Sequence, residues 1–278
     1  MAISAVINTY NATEHLERVF DNLRGFDEIV VCDMESTDGT PELAGRLGAR
    51  VVTFPKGDYN YCEPARMTAI YTARSQWVLV VDADELVTPE LRDYLYDFIK
   101  DSGSVKGIFI PRKNHILSRF DPSSYPDYQL RFFDKSCVNW PPTIHAVPII
   151  KGEVLRIPPA RKELALIHLP HNLTTQVTRT NTYSNAEVSR TVSRPVSLIE
   201  LWGKPWVCFL KNYILKGAWT MGVAGYITAR NKAYYKFLTL AKMHERHVMP
   251  EFHDRYRSDG SHKPAGGKSQ RKQDIREH

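Results

Sequence analysis

The sequence predicts an α/β protein: a Rossmann-like, mostly parallel sheet, then a mixed-sheet half, then a helical C-terminal appendage. Three observations predict it. Short β-branched runs alternate with helix-like periods through the first third of the chain, the pattern of βαβ units. From Val105 onward the strands shorten and are separated by Pro, Asn and Ser clusters. After Thr174 the pattern turns helical, and residues 198–247 interleave aromatic side chains with lysines and arginines.

The elements follow in order. Residues 2–7 form a first strand and 13–23 an amphipathic helix, with Leu16, Val19, Phe20 and Leu23 on one stripe. Residues 28–32 form a second strand. The polar loop 33–41 ends in a helix start, with Thr40 as N-cap and Pro41 as the first helical residue. That helix is expected to run to about residue 48. A third strand covers 50–54, a helix 63–75, and a fourth strand 77–81 delivers Asp82-Ala83-Asp84-Glu85 at its carboxyl end, where open α/β sheets gather ligands. The mixed half places strands at 107–111, 128–133, 147–150 and 164–168. We expect a first domain over 1–190, the appendage over 191–250, and a disordered tail over 251–278, whose polar, Gly-containing sequence has almost nothing apolar to bury.

Composition narrows the class. The chain has 278 residues, 42% of them hydrophobic and 24% charged, which fits an ordinary globular protein and argues against disorder or a multi-pass membrane protein. Net charge is +6 and favours anionic partners: nucleotide diphosphates, anionic lipid surfaces or nucleic acid. The scattered cysteines (Cys32, Cys62, Cys137, Cys208) form no Cys-x-x-Cys pair, so neither a zinc site nor a disulfide framework is indicated, and a reducing cytoplasm fits. The N-terminal residues do not read as a signal peptide, and the longest uncharged apolar run in the C-terminal third, 217–229, is too short to span a bilayer.

The chemistry concentrates on carboxylates at strand ends. In extended chain, Asp82 and Asp84 point to the same side, so both can face one hard divalent cation, Mg²⁺ or Mn²⁺, beside a diphosphate. The alternative is that they merely stop the strand. Asp33 sits at the end of a neighbouring strand, positioned to bond a nucleobase or ribose, whereas Asp38 and Thr40 read as turn and cap. Arg66, on the helix before the triplet, is either a ligand for uracil or phosphate or a solvated helix charge. No Gly-x-x-x-x-Gly-Lys-Ser/Thr loop and no Gly-x-Gly-x-x-Gly occurs, so a metal must carry the phosphates. Of the histidines, His168 ends the strand 164–168 within reach of the same ion, and His171 follows in a Pro-containing turn.

These motifs, in this order, resemble the family 2 glycosyltransferases, and in particular the short bacterial members that include lipopolysaccharide core β-1,4-glucosyltransferases. The resemblance rests on Ala5-Val6-Ile7-Asn8-Thr9-Tyr10-Asn11, on the Asp33–Thr40 loop with its Ser-Thr-Asp-Gly-Thr, and on the apolar strand leading into Asp-Ala-Asp-Glu and Thr88-Pro89. Tyr128 to Phe133, Ile144-His145 and Ile167-His168 also match, so the likeness covers about residues 1–187. It implies a GT-A fold, the nucleotide-diphospho-sugar transferase fold. It also implies inverting transfer of a hexose from a nucleoside-diphosphate sugar, a UDP-sugar above all, to a hydroxyl on a glycan or lipid-linked glycan. Thr9, Asp33, Arg66 and Asp82 would then seat the donor, and Asp84 and His168 the metal.

One departure matters. Relatives carry a Glu after the histidine where this chain has Ala146, so the catalytic base is reassigned to Asp127, with His145 next. Two other readings stand beside this one. A non-catalytic nucleotide-sugar-binding module would keep the fold and lack the base, and a transferase acting on a nucleic-acid base would use the basic surface. A nucleotidyltransferase ranks last, because its Gly-rich opening loop is absent. The aromatic and basic appendage is expected to form a helical core, with peripheral contact to an anionic membrane as its functional option.

Overall fold

The computed structural model describes residues 1–59, 61–143 and 146–255, and of residues 250–255 only the backbone. In chain order the first half runs β1 (Ile3–Thr9), α1 (Thr13–Leu23), β2 (Glu28–Asp33), α2 (Thr40–Arg46), β3 (Arg50–Thr53), α3 (Glu63–Thr72), β4 (Trp77–Asp82), β5 (Glu85–Leu86) and α4 (Pro89–Lys100). The second half continues with β6 (Val105–Ile110), β7 (Arg112–Ile116), β8 (Arg119–Phe120), β9 (Gln129–Asp134), β10 (Val138–Asn139), β11 (Ile149–Ile150), β12 (Glu153–Arg156) and β13 (Leu166–His168). Three long helices close it: α5 (Leu173–Ser189), α6 (Leu198–Leu210) and α7 (Val223–Arg255).

Seven strands form the main sheet in the order β12-β6-β9-β4-β1-β2-β3, and every neighbouring pair is parallel except the two that β9 makes, with β4 and with β6. The mostly parallel sheet with a mixed half is therefore present. Period-two alternation sorts its side chains. Ile3, Ala5 and Ile7 of β1 join Trp77, Leu79 and Val81 of β4 in a cluster with α1 and α4, while Val6, Val78 and Val80 pack on the other face with Ala65, Ala69 and Ile70 of α3. Helices thus cover both faces, as the near-continuous apolar runs of these strands require. The chain winds from β1 outward to β2 and β3, then crosses back so that β4 lies on the other side of β1. The carboxyl ends of β1 and β4 therefore flank the topological switch point, with Asn8 opposite Asp82 and Thr9 opposite Asp33.

Several boundaries move for local reasons. Gly39, not Thr40, flanks the start of α2, at φ +83°, a left-handed conformation that glycine adopts without Cβ strain. Thr40 is the first helical residue, and its amide donates to Asp38 Oδ1 (3.1 Å), so Asp38 does the capping expected of Thr40. α2 stops at Arg46 and α3 at Thr72, each short of its expected end. A smaller sheet, β5-β13-β7-β8, brings His168 beside Glu85 and Asn114.

The chain divides into two compact units. The first comprises 1–171 with 220–224, and the second 172–219 with 225–278. The first thus ends before the expected boundary at 190, because α5 pairs with α7: Lys242 Nζ donates to Asn181 Oδ1 and Asn185 Oδ1 (both 2.7 Å) and Arg246 to the Val188 carbonyl (2.8 Å). α7 extends to Arg255, into the stretch expected to be disordered, and the rest of that stretch lies outside the described residues.

Candidate active site

Asp82 is the last residue of β4 and shares its face with Val78 and Val80, so its carboxylate points toward α3. There Arg66 Nη2 donates to Asp82 Oδ1 (2.7 Å), and Arg131 Nη2 from β9 binds Oδ2. Burial opposes the charge, but Arg131 and then Arg66 outweigh it and hold the carboxyl well below the ordinary range. Both guanidinium groups lie over the Trp140 ring, at 4.8 and 5.6 Å from its centroid. Nε and Nη1 of Arg66, Nε and Nη1 of Arg131, and both amide atoms of Asn8 are buried without a hydrogen-bond partner among the described residues. Buried donors without partners are costly, so this wall is suited to receive a polar, anionic group.

The chain turns at Ala83-Asp84, which separates the two carboxylates of the triplet. The expectation that both face one ion is corrected here: extended geometry ends at Asp82, and the turn swings Asp84 toward β13. Asp84 Oδ2 lies 2.8 Å from His171 Nε2 and 3.5 Å from His168 Nε2. Burial raises the Asp84 carboxyl, yet its contacts with the two imidazoles hold it well below the carboxylate norm. The ligand atoms of Asp84, His168 and His171 all lie within 4.8 Å of one another, and His171 belongs equally to a second grouping with Glu14 and His15. A carboxylate oxygen and two imidazole nitrogens fit a divalent transition cation.

Asn114 sets the His168 tautomer. Its Nδ2 donates to Asp127 Oδ2 (3.0 Å), and a carboxylate only accepts, so Oδ1 is the atom facing His168 Nδ1 (2.9 Å). Nδ1 must then carry a proton, and Nε2, the nitrogen that faces Asp84, is the atom that would ligate a cation. Asp127 itself is bound by Arg112 Nε and Nη2 (3.0 and 2.7 Å) and by Gln129 (3.0 Å). Burial works against its charge, but Arg112 dominates, and the carboxyl is lowered. Arg112 also donates to the fully buried Glu85 (2.8 Å), whose other oxygen accepts from the Asp82 amide (3.0 Å). Glu85 thereby ties the two carboxylate groups of the site into one network.

Thr9 Oγ1 donates to Asp33 Oδ1 (2.7 Å), and the Ser36 amide donates to Asp33 Oδ2 (2.8 Å), so the Asp33 loop is cinched onto the end of β1. His145 lies outside the described residues. Sequence reasoning missed Arg131, Trp140, Asn114, Arg112, Glu85 and the pairing of His171 with Asp84. Two of these carried a signal: an arginine inside the apolar run of β9, and the His-x-x-His spacing of His168 and His171.

The model of glycosyl transferase family 2 matches residues 4–156, more than half of the chain, and the chain belongs to that family. It is similar to the lipopolysaccharide core biosynthesis glycosyltransferase LpsC of Rhizobium meliloti, 26% identical over 258 residues, covering 90% of this chain and 94% of that protein. An uncharacterized glycosyltransferase of Rickettsia conorii is 25% identical over 264 residues, covering 87% of this chain and 90% of its own. Among solved structures, a mannosyltransferase from Pyrobaculum calidifontis in complex with GDP-Man and Mn²⁺ aligns with a TM-score of 0.50 at 16% identity, covering 87% of this chain and 86% of that one. That likeness concerns the fold, which is GT-A, and the protein is a glycosyltransferase.

Proposed function

We propose that the protein transfers a hexose from a nucleoside-diphosphate sugar, UDP-linked, to a hydroxyl of a glycan or lipid-linked glycan, with inversion at the anomeric carbon. The observation that carries this reading is the pairing of an Asp84–His168–His171 ligand set with buried, partnerless arginine donors at the switch point of the sheet. The mannosyltransferase with bound GDP-Man and Mn²⁺ and the lipopolysaccharide role in the name of LpsC support the donor class and a glycan acceptor.

Asp84, His168 and His171 would hold a divalent cation, and the two imidazoles favour Mn²⁺ over Mg²⁺. When bound, it supplies positive charge against the diphosphate. The chain's own residues do the rest. Arg66 and Arg131 offer their free N–H groups to the diphosphate, and Thr9 and Asp33 seat the nucleoside. The acceptor oxygen attacks the anomeric carbon as the bond to the diphosphate oxygen breaks, so the nucleoside diphosphate leaves with the bonding electrons. The acceptor proton passes to Asp127, which is ionised at neutral pH as a general base must be.

The test is nucleotide release from UDP-glucose, UDP-N-acetylglucosamine and GDP-mannose with Mn²⁺, for the parent and for Asp84→Ala. Metal-dependent UDP formation that Asp84→Ala abolishes is the expected result. Tight nucleotide binding without turnover for any donor would instead establish a binding module.

A further inference from the structure

The second compact unit carries a surface that the transfer reaction does not use. On α6, Leu198, Trp202, Trp206 and Leu210 recur every four residues and so form one ridge along the helix. Their exposures are 83, 71, 43 and 45%, and Leu215 and Trp219, which follow, are 82 and 59% exposed. Only Phe209 turns inward from this helix, onto Ala229 and Ala233 of α7. A contiguous run of bare tryptophan and leucine is not how a surface facing only water is built.

Beside the ridge, Ile199 and Val207 line a groove together with Lys204, Lys211, Lys216 and Lys236. The groove's acid, Glu200, is already spent: Arg194 (2.8 and 2.9 Å), then Lys204, hold its carboxyl down to about 2. From Leu201 to His244 the chain has seven lysines and arginines and no Asp or Glu. Apolar side chains flanked by lysines in excess of acidic groups match an interface that is hydrocarbon on one side and negatively charged at its rim. Tryptophan prefers that depth, and lysine stems reach past apolar contacts to headgroup phosphates. No helix among the described residues is long and apolar enough to cross a membrane, so the fitting mode is in-plane attachment.

We propose that α6 and the turn after it dock the protein on an anionic phospholipid bilayer, with Trp202, Trp206 and Leu215 entering the interface and Lys204, Lys211, Lys216 and Lys236 binding lipid phosphates. Nucleic acid would use the lysines and stack bases on the tryptophans but leave Leu198, Leu210 and Leu215 in water, which is why lipid is the partner. The proposal is independent of the donor site and is read without nucleotide or metal.

The experiment is co-sedimentation of the full chain with vesicles of phosphatidylcholine alone or of an equimolar phosphatidylcholine–phosphatidylglycerol mixture. The full chain is expected to sediment with the mixed vesicles, to bind the neutral ones far less, and to detach as salt rises. Lys204→Glu/Lys211→Glu should lose at least about fivefold in partitioning per lysine on mixed vesicles only. Trp202→Ser/Leu215→Ser should lose binding to both, along with the blue shift of tryptophan emission. Circular dichroism and the urea midpoint confirm that each variant is folded. The proposal is overturned if the full chain stays in the supernatant or if the Trp202→Ser/Leu215→Ser variant sediments unchanged. It also fails if the face proves to join two copies, seen as a dimer that this variant dissolves without any vesicle binding, or if duplex DNA is retained where vesicles are not.

Discussion

The Asn114 amide accepts from His168 Nδ1 on one side and donates to Asp127 on the other, so a single neutral side chain orients the proposed metal ligand and steadies the proposed base. Asn114→Ala frees the imidazole to take the other tautomer, and Mn²⁺ affinity should drop by about 10- to 100-fold, read by isothermal titration calorimetry. Asp127→Asn tests a different property of the same chain of contacts. It keeps the Gln129 and Asn114 neighbourhood polar but removes the proton acceptor, so kcat should fall by about 100-fold or more while Mn²⁺ binding stays near the parent value. A loss of metal affinity equal to that of Asn114→Ala would assign Asp127 to positioning alone.

At the scale of elements, the site depends on β1 and β4 being held side by side at the centre of the sheet. Leu79 is fully buried there among Ile7, Leu91 and Phe132, and Leu79→Ala should cost about 2–5 kcal/mol, measured by urea denaturation. The opposite ends of β1, β2 and β3 are tied by Glu28, which accepts from Ser4 Oγ (2.6 Å), the Arg74 amide (2.8 Å) and Arg50 (2.7 and 3.1 Å). Partial burial raises its carboxyl, but the Ser4, Arg74 and Arg50 bonds together leave it below the ordinary 4.5. A depressed folded value means that its contribution is complete above about 4.5 and is lost as pH falls below that through the folded value. Unfolding free energies of parent and Glu28→Gln should therefore differ most near neutrality and converge in acid. The strands and helices that make this arrangement were legible, since Leu16, Val19, Phe20 and Leu23 of α1 sit on the stripe that periodicity marked and are all buried. What was not legible was the hand-over at Gly39, where a left-handed residue takes the flanking position that Thr40's chemistry suggests.

For the whole molecule, metal binding is a stability measurement as well as a functional one. Mn²⁺ at about 100 times its Kd should add roughly 2.7 kcal/mol to the folded state and raise the melting temperature by about 5–10 °C, and Asp84→Ala should erase the shift. The sequence by itself determined the α/β class, the mostly parallel sheet, and the delivery of an Asp-x-Asp triplet to a strand end, because alternation of two and periodicity of 3.6 are local properties that neighbours along the chain express. Only the tertiary structure decided how the triplet is divided, with Asp82 going to Arg66 and Arg131 and Asp84 going to His168 and His171. The reason is distance along the chain: Asp84 meets His171 across 87 positions and Asp82 meets Arg131 across 49, and no local pattern encodes which far residues will share one side of a turn.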